Sequence, residues 1–219
     1  MNVVSSWQFI LDNLPALLAA AVDTIKLTVP IVIFSTILAV PLVILRSSSN
    51  PLISLPVAIY SWIMRVTPLL VVLYFVFYGL PILGVRIRPF TIAVVGSSIL
   101  SASYYMEVIR GGLLAVPQGQ LEAARALGLS SWRIWQRIVL PQVIPVSLPP
   151  YISNTVLILK GTSIAMLITV DELTGVGFGI ISVTYRPMEI ILVMAIIYLA
   201  MITAITSFQH WAERRWAIV

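Results

Sequence analysis

Lys160, Thr162 and Ser163 sit in an otherwise apolar run, Asn154 precedes them in the same run, and Arg65 and Thr67 interrupt an earlier one. An ionisable group at membrane depth is costly and normally faces protein or a water-filled path, so each is a candidate contact for a polar solute. The Lys160 ammonium suits a carboxylate. On a helix, Ser147, Tyr151, Thr155 and Thr162 share one face, Ser153 and Lys160 share another, and Asn154 and Ser163 widen the polar arc. A helix this polar either lines a central pathway or bonds to neighbouring helices. Arg65 also has two readings. Pro68 cannot donate a backbone hydrogen bond, so it breaks the helix and frees a carbonyl near Met64. Exposed backbone dipoles beside Arg65 and Thr67 then form a place for a zwitterion; alternatively Arg65 snorkels to an interface and Pro68 is a packing kink.

The same inventory argues against catalysis in this chain. With no cysteine and one histidine, His210, it has no thiolate metal site, no disulfide framework and no histidine cluster or conventional serine triad. Only a Ser-Lys mechanism stays formally open. Gly175-Val-Gly177-Phe-Gly179 follows no strand and lacks the dinucleotide-binding pattern, and it reads as a flexible outer loop near a docking surface. No GxxxxGK[ST] run occurs, so ATP hydrolysis is expected in another chain, and no bound cofactor is expected in this one.

The elements that position these groups follow from composition. Of 219 residues, 60% are hydrophobic and 10% charged, with a mean hydropathy of +1.05. A soluble domain carries about 25% charged residues, so this is a chain for the lipid bilayer. The formal charge of +5 is scattered between apolar runs rather than gathered in a stripe, which speaks against nucleic acid. Met1 to Trp7 contains no Lys or Arg and the apolar stretch after it is too long for a cleavable signal.

Apolar stretches fall at Leu14 to Leu45, Leu52 to Leu80, Phe90 to Ile109, Val143 to Val170 and Met188 to Phe208. A spanning helix takes about 20 residues, so an all-α membrane fold of about five transmembrane helices is expected. Excess length in the first, second and fourth stretches must be absorbed by tilt or by bends at Pro30, Pro41, Pro56 and Pro68. With the N-terminus outside and the C-terminus cytoplasmic, Arg46, Arg110, Arg125, Arg133, Arg137, Arg214 and Arg215 fall inside against Arg86, Arg88 and Arg186 outside. Retention of positive charge in the cytoplasm favours that orientation. Glu107 with Arg110, and Asp23 with Lys26, have the spacing of structural helix pairs.

Residues 111–142 then form a cytoplasmic segment of two short helices. Pro117 suits a first turn, Gln118 to Leu127 favours helix, and Gly128 supplies a left-handed stop. Ser130 or Ser131 is expected to cap a second helix running through Val139 and closed by Pro141. Ala123, Ala124 and Ala126 leave low relief for a partner, with Glu122, Arg125, Arg133 and Arg137 at its rim. From physics alone, an amphipathic hairpin resting on the lipid headgroups is the other possibility.

The run Glu122-Ala123-Ala124, Gly128, Ile138 and Leu140-Pro141 resembles, at every anchor and spacing, the EAA loop of bacterial ABC importer permeases. Arg65-Val-Thr67-Pro68-Leu-Leu70, Tyr78-Gly-Leu-Pro81, Tyr105 to Gly112, Gly119-Gln120, Leu148-Pro-Pro150 with Asn154, Lys160 with Thr162-Ser163, and Glu172-Leu173 are similar, in order, to the permeases for polar amino acids such as histidine, glutamine, arginine and cystine. The resemblance implies one type I importer transmembrane domain over residues 1–219 in the bacterial inner membrane. It implies that Glu122, Ala123, Ala124, Arg125 and Gly128 couple to two cytoplasmic ATP-binding subunits, which use ATP and Mg. A second permease copy or paralogue, an extracytoplasmic solute-binding protein and a small polar solute are the other implied partners. Arg65, Thr67, Asn154, Lys160, Thr162 and Ser163 are the expected pathway residues. Gly161 stands where the family commonly has Asp, and Pro145 where many members have Arg, so the charge of the solute is left open. The alternatives are transport of another small polar solute by the same architecture, or a membrane scaffold that recruits a cytoplasmic partner.

Overall fold

The computed structural model describes residues 5–216. The first four residues of the supposed uncleaved N-terminus lie outside that range. The described residues are helical, with no strand. Helix α1 (Ser6–Arg46) opens on Ser5, whose Oγ accepts from the Gln8 N–H at 3.2 Å. At 1.5 Å per residue its 41 residues extend about 60 Å, twice the hydrocarbon thickness, so part of α1 extends beyond the membrane core or runs strongly tilted. Helix α2 (Pro51–Val66) has Pro51 in its first turn and Asn50 as its cap, the arrangement that suits a residue lacking an N–H.

The second apolar stretch is not one continuous helix. After Val66 the chain turns extended at Thr67 (ψ 126°) and Pro68 (ψ 138°), and helix α3 (Leu69–Ile82) leaves at 102° to α2. The residue before a proline is pushed out of the helical region, and the proline cannot extend the ladder, so a gentle kink becomes an elbow. Counting this pair as one broken span gives five spans, and otherwise four.

Helix α4 (Pro89–Leu114) is the hub of the bundle and the most buried of the helices long enough to span a membrane. Its small residues Ala93, Ser97, Ser98, Ser101, Ala102 and Ser103 are all buried. They let α1 approach closely enough for Ser35 Oγ to reach the Ser98 carbonyl at 3.3 Å and Ser98 Oγ the Ile31 carbonyl at 3.4 Å. Small residues and cross-helix hydroxyl bonds are how helices associate where lipid supplies no hydrophobic contrast. At the far end of α4 a Cβ on Gly112 would lie 2.1 Å from Ser147 Oγ and 3.2 Å from the Val143 carbonyl oxygen, so a larger residue there would have to displace the Ser147 side chain and press on the backbone at Val143.

Helix α5 (Gln118–Ala126) is followed by α6 (Ser131–Ile134), and Ser130 takes the cap position without a side-chain cap bond. The expected stop at Pro141 does not occur. A π-helical turn (Trp135–Val139) leads into α7 (Leu140–Gly161), which carries Pro141 in its first turn. The wider π turn accommodates a residue that can neither donate to the preceding turn nor fit tightly against its carbonyl. A 3₁₀ segment (Thr162–Ile168) prolongs α7, and the run from Ser131 to Ile168 counts as one span.

The glycine-rich stretch is also helix rather than loop. Helix α8 (Leu173–Thr184) is capped by Glu172, and two of its glycines are sites of close approach: a Cβ on Gly175 would lie 2.8 Å from the Val170 carbonyl oxygen, and one on Gly177 would lie 2.2 Å from Met194 Sδ, on helix α9 (Pro187–Trp216), whereas Gly179 faces open space. Glycine here removes bulk between helices instead of loosening the chain.

Candidate functional site: a stacked pair of cavities joined to a cytoplasmic hairpin

The elbow between α2 and α3 opens a cavity of about 380 Å³. Arg65, Thr67 and Pro68 form its rim, Leu100, Ser101 and Tyr104 of α4 its floor, and Asn154, Leu157 and Gly161 of α7 its far wall. Its size lies in the ~300–1,000 Å³ range of small-molecule sites. Polar groups are few and convergent. The Tyr104 hydroxyl donates to the Arg65 carbonyl at 3.2 Å, Thr67 Oγ1 donates to the Ile63 carbonyl at 2.7 Å, and the Arg65 Nε donates to the Ser61 carbonyl at 3.3 Å. Arg65 is the one charged residue among those lining this cavity.

A second cavity, also about 380 Å³, lies further along α4 and α7. Arg65, Tyr104 and Asn154 line both cavities, and Glu107, Val108, Gly111, Gly112, Val146 and Pro150 complete the second. Glu107 Oε2 accepts from Arg110 Nε at 2.8 Å, Glu107 Oε1 accepts from Ser61 Oγ at 3.2 Å, and Arg65 Nη2 stands 4.0 Å from Glu107 Oε1. The expected Glu107–Arg110 pair is therefore present, with Arg65 loosely drawn in. Asp23 and Lys26 are paired at 2.7 Å.

The polar face of α7 divides between the two roles open to it. Ser147 Oγ donates to the Val108 carbonyl at 3.4 Å, the Tyr151 ring stacks on Tyr105 with centroids 4.3 Å apart, and Thr155 Oγ1 meets the Tyr105 hydroxyl at 2.8 Å. That face is interhelical glue. Asn154 and Gly161 instead line the first cavity. Lys160 is exposed, Thr162 is buried with its hydroxyl on the Leu159 carbonyl, and Ser163 donates to the Lys160 carbonyl. These three flank Gly161 but are not among the residues lining this cavity. Tyr104, Ser101 and Leu157, which sequence pattern did not single out, are. Tyr104 and Leu157 look like ordinary membrane residues until the elbow places Arg65 opposite them.

At the other end of the same helices, α5 packs back on the bundle through Ala124, which is 3% exposed and clusters with Val116, Ile134, Val139 and Val143. Gly128 has φ +73°. Its N–H donates to the Arg125 carbonyl at 2.9 Å, and the Leu129 N–H donates to the Ala124 carbonyl at 3.1 Å. This is the paired closure of a helix end that glycine makes accessible. Glu122, Ala123, Arg125 and Gly128 remain exposed. So does Leu127, at 81%, with Trp132 at 72%, an apolar pair on a polar hairpin that the sequence reading passed over. Gln142 Nε2 donates to Gln120 Oε1 at 2.7 Å and ties α5 to the start of α7.

Comparison with known proteins gives this arrangement a setting. The chain is 38% identical to the octopine transport system permease protein OccM of Rhizobium meliloti, over 94% of this chain and 91% of that protein. It is also 38% identical to the nopaline transport system permease protein NocM of Agrobacterium fabrum, over 94% and 90%. Its fold matches the crystal structure of an amino acid ABC transporter with histidines at a TM-score of 0.89 and 32% identity, covering 98% of this chain and 100% of that one. Residues 31–218 match the family model for binding-protein-dependent transport system inner membrane components, and the chain belongs to that family.

Proposed function

We propose that this chain is the inner-membrane permease subunit of an ABC importer for a polar amino acid or an amino acid derivative of the opine kind. The observation that carries the reading is continuity: the helical run from Ser131 to Ile168 joins the exposed hairpin to the wall of the first cavity. A movement applied at the hairpin is transmitted along that run to the cavity. Glu122, Ala123, Arg125 and Gly128, with Leu127, form the surface for a cytoplasmic ATP-binding subunit. Apolar Leu127 and Trp132 supply the buried contact and the charged rim supplies register. Two such ATPases carry the ATP and Mg, a second permease copy or paralogue completes the pathway, and a solute-binding protein delivers solute from outside.

In the first cavity Arg65 takes the solute carboxylate, and Thr67 and Asn154 supply hydrogen bonds. Gly161 leaves this wall without a carboxylate of its own, and a Cβ there would already come within 3.3 Å of Leu69. The cavity is thus built for the acidic end of the solute, in keeping with names that include octopine and nopaline among the relatives.

The test is ATP-dependent accumulation in liposomes containing the complete complex, with L-arginine, L-octopine and L-nopaline offered in turn. Glu122→Lys brings a wrong charge to the docking rim, and Gly128→Val forces a left-handed conformation that costs roughly 1–2 kcal/mol. Each variant is expected to lower uptake by about tenfold, corresponding to about 1.4 kcal/mol of lost coupling. Normal uptake in both would remove the hairpin from the coupling path, and accumulation of none of the three solutes would exclude L-arginine and both opines as its cargo.

A further inference from the structure

The second cavity has no part in the reading above, yet it shares a wall with the first. Moving along α4 from Leu100 to Tyr104 and then from Glu107 to Gly111, the lining passes from one cavity to the other. Along α7 the same passage runs backward, from Gly161 to Asn154 and on to Pro150 and Val146. Both directions lead towards the hairpin. The cavities are therefore stacked in series, with Arg65, Tyr104 and Asn154 as the neck.

The charges at the neck are held unequally. Glu107 has one oxygen fixed by Arg110 at 2.8 Å, whereas its contact with Arg65 is at the 4.0 Å limit of an ion pair and Arg65 is 43% exposed. An exposed pair at such a distance contributes little, so Arg65 can be diverted to another anion at small cost. Glu107 then keeps a cationic partner in Arg110. Once Arg65 turns to a carboxylate, Glu107 Oε1 retains only the Ser61 hydroxyl at 3.2 Å and can accept a further charged donor. A cation from α2 and an anion from α4, both lining one small cavity, match the dipole of an α-amino acid. Resting on the assignment of the first cavity to the solute pathway, we propose that the second cavity is a cytoplasm-side amino acid subsite. In it Glu107 receives the solute's α-ammonium while the α-carboxylate remains on Arg65, which serves as a pivot between the two cavities.

The absence of cysteine from this chain makes the test direct. Val146→Cys marks the second cavity alone, and Leu157→Cys marks the first alone; both positions are at least half exposed. Each is introduced into the full nucleotide-free complex, and modification by a small maleimide is timed with and without whichever of L-arginine, L-octopine or L-nopaline the complex accumulates. At roughly ten times the half-saturating concentration, occupancy slows modification about tenfold. Slowing is expected at both positions, and Glu107→Gln is expected to abolish it at Val146→Cys while leaving it at Leu157→Cys, which also shows that the variant remains folded. Slowing at Leu157→Cys alone overturns the second subsite and leaves the pathway assignment standing. Slowing at neither overturns both. Slowing at both that survives Glu107→Gln overturns the role of Glu107.

Discussion

Glu172 has no exposed surface, and the groups that bond it are neutral donors: the Gly175 N–H at 2.8 Å and the Tyr198 hydroxyl at 2.9 Å. Burial pushes its carboxyl above the ordinary glutamate value, against the pull of those bonds. Folding therefore favours the protonated form. Below the ordinary value both folded and unfolded chains are protonated and the contribution of Glu172 is fully present. As pH rises past it, the unfolded chain ionises freely while the folded chain must hold its proton or bury a charge, so stability declines until the folded value is passed. Thermal unfolding of the purified protein in detergent micelles should show this decline, and Glu172→Gln should flatten it. Glu172→Ala removes the cap of α8 as well, an expected loss of about 0.5–2 kcal/mol. At this scale, what could be read from the sequence depended on whether a role is local. Gly128 announces its left-handed turn by type and spacing alone, and Glu107 finds Arg110 three residues away. Glu172 gives no such sign, because its partner Tyr198 arrives from another helix and its burial is a property of the assembled bundle.

Prolines illustrate the same divide among the elements. Pro68 and Pro141 both read as helix breaks, yet the first makes a 102° elbow and the second is absorbed by a π turn. The difference lies in what surrounds them. At Pro68 the Tyr104 hydroxyl bonds the Arg65 carbonyl and α4 supports the opened cavity, whereas at Pro141 apolar residues on both sides of the π turn, Ile134 and Val143, pack into one cluster and hold the segment together. Neither neighbour is visible in the local sequence. For the same reason the three glycines of α8 suggested a loop: glycine disfavours an isolated helix, but at Gly177 it lets α8 and α9 meet. The elbow invites its own test. Pro68→Ala restores a backbone donor and a helix-forming residue at the break, and loses about 0.4–1 kcal/mol of preorganisation in the unfolded chain. Uptake should fall by several-fold, well beyond what a change of that size in melting behaviour accounts for. An unchanged uptake rate with the three solutes would show that the elbow is a packing feature and not a solute rim.

Across the whole molecule, the elbow also decides the sidedness of the chain. If α2 and α3 together cross the bilayer, the turn at Ser47 to Asn50 and the hairpin at Leu127 lie on one side, with the loop around Leu83 on the other. If the pair re-enters instead, Ser49 and Leu83 share a side and the hairpin faces the opposite one. Length and hydropathy allow both, since the two helices pass as a spanning pair only when taken together. Charge separates them. A crossing gathers Arg46, Arg110, Arg125, Arg133 and Arg137 on one face and leaves Arg86 and Arg88 on the other, the asymmetry that cytoplasmic retention of positive charge produces. Re-entry would put Arg46 with Arg86 and Arg88, dividing these seven four against three instead of five against two. Single cysteines at Ser49, Leu83 and Leu127, all exposed, are accordingly expected to divide two against one when treated with a membrane-impermeant maleimide. Ser49→Cys and Leu127→Cys should react in inside-out vesicles and Leu83→Cys in right-side-out ones. Joint labelling of Ser49→Cys and Leu83→Cys would make the elbow a re-entrant loop and would place the hairpin out of reach of a cytoplasmic ATPase whenever those two face the cytoplasm.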